Sequence, residues 1–416
     1  MFRMNKTGSR AGRRARKRRR KKHEDVSKVT LSHEAQFVRL RKWLKERGFT
    51  SQHLIPVNFN DTGRGLMATH PVKANGMVIS LPENCLLTTV TVLRSYMGEF
   101  VKRYQPPISP LVALCCFLVA ERHRGDASEW SPYIDVLPKS YTCPVYFHDD
   151  IIGLLPGSLW KKAMEQKEQF EDLYSSSLTF FRSLQPLFSQ PLEKLFTQDA
   201  LRWAWCSVNT RTVYMEHDQS NYLSREKDVY ALAPYLDLLN HCPNVQVKAG
   251  FNKETHCYEI KSVHGCKKFQ QAFINYGPHD NHKLLLEYGF VAPGNPHSVV
   301  YVNLEVLQLC LDKKDKQLSQ KLLYLKENDF LHACWKNVLL GASVSRAQEQ
   351  WCIHSALKLC NNLTEHNVKA LETLSHLQQC TDHSRLEQLR VVESLRQEEQ
   401  RILEHTQVLL ENLQRQ

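Results

Sequence analysis

Strand-like segments occur in two blocks that lie far apart in this chain. The blocks cover about residues 54–89 and 230–290, and the pattern between them is mostly helical. In the first block, Val78-Ile79-Ser80-Leu81-Pro82 is typical of a short strand that ends at proline. In the second, Asn252-Lys253-Glu254-Thr255 predicts a hairpin connection. Such an order favours an α+β fold whose small sheets are assembled from distant segments.

The sequence divides into three regions. We predict a disordered basic tail over residues 1–24, an α+β domain over 48–295 with a helical insert at about 91–228, and an all-helical domain over 300–416. The last forty residues are rich in Glu, Gln and Leu. A strict coiled coil is not expected there, because Arg396 and Glu399 fall on the would-be seam. An amphipathic helix that packs on its neighbours is the favoured interpretation.

The net charge of +12 comes entirely from the tail. Residues 1–22 contain twelve Lys and Arg and no acid, and removing them from the 55 basic residues leaves 43 against 43 acidic ones. Such a block repels itself and is typical of nuclear import signals or anionic-polymer contacts. We therefore expect an import receptor or nucleic acid as a partner of the tail.

The apolar run Leu111–Ala120 is too short to cross a membrane and predicts a buried helix. The thirteen cysteines show no paired spacing, which indicates reduced thiols. We expect a protein of the nucleus and cytoplasm, with no membrane partner.

Two apolar segments end in polar groups that can carry chemistry. Asp237-Leu238-Leu239 leads into Asn240-His241, and Phe273-Ile274-Asn275 leads into Tyr276-Gly277. An amide, an imidazole and a phenol at the edge of a core can grip a polar cofactor and orient a nucleophile. Taken singly, each is more often a hydrogen-bonded loop or core residue.

Other site types lack support. His256, Cys257, His264 and Cys266 match no standard zinc spacing, and we predict no metal. Gly63-Arg64-Gly65-Leu66 lacks the third glycine of a dinucleotide fingerprint. The sequence contains no G-x-S-x-G elbow and no P-loop.

Four short motifs follow one another in the order seen in SET-domain methyltransferases. They are Gly63-Arg64-Gly65-Leu66, Asn240-His241, Ile274-Asn275-Tyr276-Gly277 and Leu286-Glu287-Tyr288-Gly289-Phe290. The helical insert and the helical C-terminal half resemble the Rubisco large-subunit methyltransferase branch of that family. The resemblance implies a SET-domain fold whose small β-sheets are split by a long helical insert and followed by an all-helical domain.

The resemblance also implies an S-adenosyl-L-methionine cofactor and a protein lysine as the methyl acceptor. Tyr276 matches the tyrosine at the methyl-transfer centre, and Tyr288 is expected to line the acceptor channel or the cofactor pocket. The remaining expected cofactor contacts, besides Tyr276, are Arg64, Gly65, Leu66, Arg211, Asn240, His241 and Phe290.

The sequence departs from the family at three places, one of which is Cys242, where serine is common after Asn-His. Lys268-Phe269-Gln270-Gln271 stands where many relatives have Gly-Glu-Glu or Gly-Glu-Gln, and the zinc-binding Cys-x-Cys tail of many histone-directed members is absent. A histone substrate is therefore one candidate among nuclear and cytoplasmic proteins.

Two alternatives to lysine methylation stay open. Histidine methylation is known within this branch, and a neutral imidazole needs less deprotonation than an ammonium group. A non-catalytic chromatin or RNA adaptor that uses residues 1–22 is the alternative from a different functional class.

Overall fold

The computed structural model describes residues 28–51, 53–302, 306, 346–379 and 383–415. The chain separates into two compact units. The first contains residues up to Lys139 together with Ser177–Gly277, and the second contains Ser140–Ser176 together with residues from Pro278 onward. The basic tail lies outside the described residues, and the domain boundaries at 48–295 and 300–416 stay a prediction.

The first unit contains three small sheets, with strand orders β1-β2-β3-β10-β7, β4-β9-β8 and β5-β6. The strands are β1 Lys28–Thr30, β2 Leu54–Phe59, β3 Gly63–Ala68, β4 Gly76–Pro82, β5 Thr212–Tyr214, β6 Tyr230–Leu232, β7 Asn240–His241, β8 Val247–Asn252, β9 Cys257–Ser262 and β10 Gln271–Ile274. β10 pairs with β7 in parallel and with β3 in antiparallel orientation. Strands from both ends of the unit therefore share sheets, which confirms the α+β prediction.

The predicted hairpin joins β8 to β9. Asn252 lies opposite Cys257, and its side-chain oxygen accepts a 2.9 Å hydrogen bond from the backbone N–H of Glu254. This Asx-type contact stabilises the turn.

The helices of the first unit lie between the two strand blocks, except for the first. They are α1 Ala35–Glu46, α2 Thr89–Arg94, α3 Gly98–Arg103, α4 Pro110–Arg124, α5 Ser131–Ile134 and α8 Gln198–Arg211, and α7 Gly157–Ser183 contributes its residues from Ser177 onward. α4 begins at a capping serine, Ser109, followed by proline at the first helical position. Every residue from Val112 to Glu121 is buried, as predicted for this apolar run. Among the described residues, no helix is both long and apolar enough to cross a membrane.

The described helices of the second unit are α6 Asp149–Ile152, the first part of α7, α9 Asn281–Tyr288, α10 Arg346–Gln378 and α11 His383–Gln414. Their apolar faces meet in one core, to which Ile151, Leu285, Leu374, Leu389 and Leu395 all contribute. The C-terminal helices thus pack on their neighbours through one face, as predicted.

Candidate active site

The parallel pair β7–β10 brings the two polar segment ends to the same edge of a sheet. Phe273 lies opposite Asn240 and Ile274 lies opposite His241. Because the strands run in the same direction, the residues that follow them emerge side by side. The backbone N–H of Tyr276 donates to His241 Nδ1 at 3.1 Å, and the two rings lie 5.2 Å apart.

The Tyr276 hydroxyl is fixed by the backbone that leads into β7. It donates a 2.7 Å hydrogen bond to the carbonyl oxygen of Leu239. The side chain of Asn275 holds the turn, since its Oδ1 accepts from the Gly277 N–H at 2.9 Å and its Nδ2 donates to the Pro243 carbonyl at 3.2 Å. Tyr276 is thereby held at both its backbone and its phenol.

Asn240 connects this edge to strand β3. Its Nδ2 donates to the carbonyl oxygen of Arg64 at 3.0 Å. A Cβ on Gly65 would lie 2.8 Å from that same nitrogen and 3.2 Å from the ring of Phe59. The close approach of Asn240 therefore requires glycine at position 65. Leu66, which follows Gly65 on β3, is fully buried.

Two predicted arginines are tied to backbone carbonyls. Arg64 donates to the carbonyl of Val136 at 2.7 Å, and Arg211, the last residue of α8, donates to the carbonyl of Asp237 at 2.9 Å. These contacts fix the directions of both guanidinium groups.

The carboxyl of Asp237 is a site feature that sequence reasoning missed. It accepts a 3.0 Å hydrogen bond from the hydroxyl of Tyr133. Burial raises the pKa of Asp237, and the nearby Arg211 guanidinium opposes that rise. A carboxylate three residues before Asn240 in an otherwise apolar run was the available signal.

Tyr288 and Phe290 belong to the second unit, whereas the other seven predicted site residues belong to the first. Tyr288 ends α9, and its ring stacks on His279 at 6.1 Å and lies 6.3 Å from Phe290. Burial raises the pKa of Tyr288, with a further contribution from Glu287. Gly289 ends the helix with a left-handed backbone (φ 76°), where a Cβ would also lie 2.9 Å from the Cys143 nitrogen. Both features favour glycine between the two aromatic residues.

The possible zinc ligands do not form a metal site. Cys257 lies at the start of β9, whereas His264 and Cys266 follow its end at Ser262. No group of three or more His, Cys, Asp or Glu side chains suited to a metal occurs in the part of the chain that the structure describes.

Comparison with known proteins identifies the family. The SET domain model matches residues 63–277, which include both polar segment ends. The human protein "SET domain-containing protein 4" is 45% identical over 413 residues, covering 93% of this chain and 94% of its own length. Human "Actin-histidine N-methyltransferase" is 29% identical, covering 73% of this chain and 49% of its own length.

A solved structure has the same fold. The crystal structure of the SET domain of LSMT bound to lysine and AdoHcy matches with a TM-score of 0.54 and 21% identity, and the match covers 92% of each chain. The predicted SET-domain fold is therefore confirmed. This chain belongs to the SET-domain family of methyltransferases.

Proposed function

We propose that this protein is an S-adenosylmethionine-dependent protein-lysine N-methyltransferase. The observation that carries the proposal is the position of Tyr276. Tyr276 follows the C-terminal end of β10, next to the end of the parallel strand β7, which consists of Asn240 and His241. Its hydroxyl is held by the Leu239 carbonyl and its backbone N–H by His241.

S-adenosylmethionine is the cofactor, and the chemistry of the site fits it. Arg64 and Arg211 provide positive charge for the cofactor carboxylate. Gly65 lets the Asn240 amide lie close against the backbone of β3, where the cofactor is proposed to bind. Asn240 and His241 complete the proposed grip, and Phe290 is proposed to pack on the adenine. When bound, the cofactor supplies a methyl group on a sulfonium.

Tyr276 is proposed to orient the acceptor amine. A phenol oxygen that donates its proton to a carbonyl, as this one does to Leu239, can engage a further partner only as an acceptor. An amine N–H and a polarised methyl group both present positive hydrogens to such an oxygen. Because methyl transfer is an in-line displacement, this positioning should supply much of the rate.

The acceptor lysine must lose its proton before it attacks. An aromatic channel, to which Tyr288 is proposed to contribute, lowers the pKa of a lysine by removing water, and a nearby sulfonium lowers it further through like charge. No metal is required for this chemistry.

Histidine methylation is the second candidate, because relatives at 29% identity carry the name actin-histidine N-methyltransferase. The non-catalytic adaptor stays the alternative from another class. As substrates we propose histones or other proteins of the nucleus and cytoplasm.

The acceptor can be identified by incubating the protein with isotopically labelled S-adenosylmethionine and a cell lysate, followed by mass spectrometry of the labelled peptides. Label on lysine is the expected result. Label on histidine alone would replace the lysine proposal with the histidine one.

Tyr276→Phe tests the catalytic role directly. We expect kcat to fall about 100-fold, as for loss of other preorganised hydrogen-bonding groups, while cofactor binding measured by calorimetry is largely kept. The matched control is Tyr258→Phe, which removes a buried hydroxyl that contacts the carbonyl of Tyr214 instead. Unchanged transfer by the Tyr276 variant would contradict the catalytic role of Tyr276, whereas no transfer by either the variant or the unchanged protein would favour the adaptor.

A further inference from the structure

Three segments of the first unit that are devoid of Asp and Glu meet at one surface. They are residues 62–82, 240–253 and 260–277. The antiparallel ladder β4-β9-β8 and the turn after β9 bring them together. The body of the chain is neutral by composition, so this surface is a product of folding.

The contacts make the surface continuous. Lys248 lies directly opposite Lys261 on neighbouring strands. Farther along, Gly265 lies against the backbone of Val72 and Lys73, and Cys266 forms a β-bridge with Val72. Lys267 and Lys268 follow at once. We call Lys73, Lys248, Lys261, Lys267 and Lys268 the lysine surface.

Four of these five side chains are not engaged by acids. Lys261 pairs with Glu259 at 3.2 Å, but Lys73, Lys248, Lys267 and Lys268 are exposed and form no ion pair with any carboxylate in the described ranges. Directly opposed like charges, such as Lys248 and Lys261, destabilise a sheet. Sheet stability therefore does not account for this arrangement.

Phe269 stands at the end of the lysine surface in an unfavourable conformation. Its φ is 65°, in the left-handed region that favours glycine or asparagine, and 54% of the residue is exposed. Its backbone N–H donates to the Ala68 carbonyl at 2.7 Å, which holds the turn, and Lys268 Nζ lies 4.7 Å from the ring centre. Neither backbone preference nor burial favours phenylalanine here. Strain of this kind is characteristic of functional sites.

From these observations we propose that the lysine surface and Phe269 bind single-stranded nucleic acid, with the lysines on phosphates and the Phe269 ring stacked on a base. Lysines beside an exposed aromatic ring are the chemistry of such sites. Phe269 precedes β10 and Tyr276 follows it, so this surface and the proposed methyl-transfer site lie toward opposite ends of that strand. The proposal is independent of the acceptor that is methylated.

The test measures fluorescence anisotropy of a labelled 20-nucleotide oligouridylate with the full-length chain at several salt concentrations. Basic residues 13–22 are changed to glutamine in every protein used, so that the tail does not mask the folded surface. The lysine variant carries Lys73→Gln, Lys248→Gln, Lys267→Gln and Lys268→Gln. The matched control changes four exposed lysines of the same unit elsewhere, namely Lys42, Lys45, Lys194 and Lys227, to Gln.

We expect the lysine variant to lose at least tenfold in affinity, with a salt slope smaller by about 0.7 for each lysine that contacts a phosphate. Phe269→Ala should weaken single-strand binding roughly tenfold and leave binding to an RNA duplex of equal length unchanged. Tyr222→Ala is its control, because Tyr222 is also exposed and also has a lysine, Lys102, 5.9 Å from its ring centre.

Equal losses in the lysine variant and its control would overturn the proposal, because binding would then follow net charge alone. Polyglutamate competing as well as oligouridylate, with no effect of Phe269→Ala, would also overturn it and indicate an acidic protein partner. Thermal melting checks that each variant is folded, and the pair Lys267→Gln and Lys268→Gln replaces the fourfold variant if that one is not.

Discussion

Gly65 is the residue at which the site has least room. Gly65→Ala should destabilise the first unit by about 1–3 kcal/mol, because the new Cβ would lie 2.8 Å from Asn240 Nδ2 and must displace the amide or the ring of Phe59. It should also weaken cofactor binding, measured by calorimetry. Gly250→Ala is the control, since a Cβ there has no atom within 4 Å. If the two changes destabilise the unit equally, the loss of stability comes from the backbone of a strand glycine and not from the contact with Asn240 and Phe59.

Asp237 should make stability depend on pH. Burial raises its folded-state pKa above the ordinary 3.8, so the stability it contributes is full below that value and is lost as pH rises through the folded pKa. Asp237→Asn keeps an acceptor for Tyr133 but cannot ionise. The melting temperature of Asp237→Asn should therefore increase relative to that of the wild type as pH rises from roughly 4 to 7. Asp218→Asn, at an exposed position, is the control. A difference in melting temperature between Asp237→Asn and the wild type that does not change with pH would contradict the expectation.

The sequence nominated individual candidate residues for the site, but it did not indicate their hydrogen-bond partners. The order of the motifs singled out Asn240, His241 and Tyr276. The Leu239 carbonyl and the Tyr133 hydroxyl carry no sequence signal, because they act through positions that only folding creates.

At the scale of elements, α11 shows that charged side chains can lie on the buried face of a helix. Arg396 and Glu399 fall on the would-be seam, as the sequence indicated, and both side chains lie inside the second unit. His282 Nε2 lies 2.9 Å from a carboxylate oxygen of Glu399, and Arg396 donates to the Leu154 carbonyl at 2.8 Å. Buried charges of this kind fix the register of a helix when they are fully partnered.

Glu399→Ala should destabilise the second unit by about 3–5 kcal/mol, because it leaves Arg396 buried without its carboxylate. Hydrogen exchange of the α9 and α11 amides is the suitable measurement, since it reports on this unit by itself. The exposed Glu404→Ala is the control on the same helix. Unchanged protection in the Glu399 variant would mean that water replaces the lost carboxylate.

At the scale of the whole molecule, the net positive charge lies in the basic tail, and the rest of the chain is formally neutral. Deleting residues 1–22 should reduce nuclear accumulation of a fluorescent fusion, because it removes twelve basic residues. Methyl transfer by the purified protein should continue, since every proposed site residue lies beyond residue 63. Loss of all measurable activity on deletion, together with no effect of Tyr276→Phe, would instead support the adaptor.

The sequence by itself determined the α+β class, the buried helix at Leu111–Ala120, the β8–β9 hairpin and the family, because periodicity, turn chemistry and motif order are local properties. Only the tertiary structure decided that Asn240 reaches Arg64, that Glu399 meets His282, and that Lys248 lies opposite Lys261. These contacts join residues separated by more than a hundred positions, or by the register of neighbouring strands. The free energy of a side chain at such a place depends on partners that the local sequence does not contain.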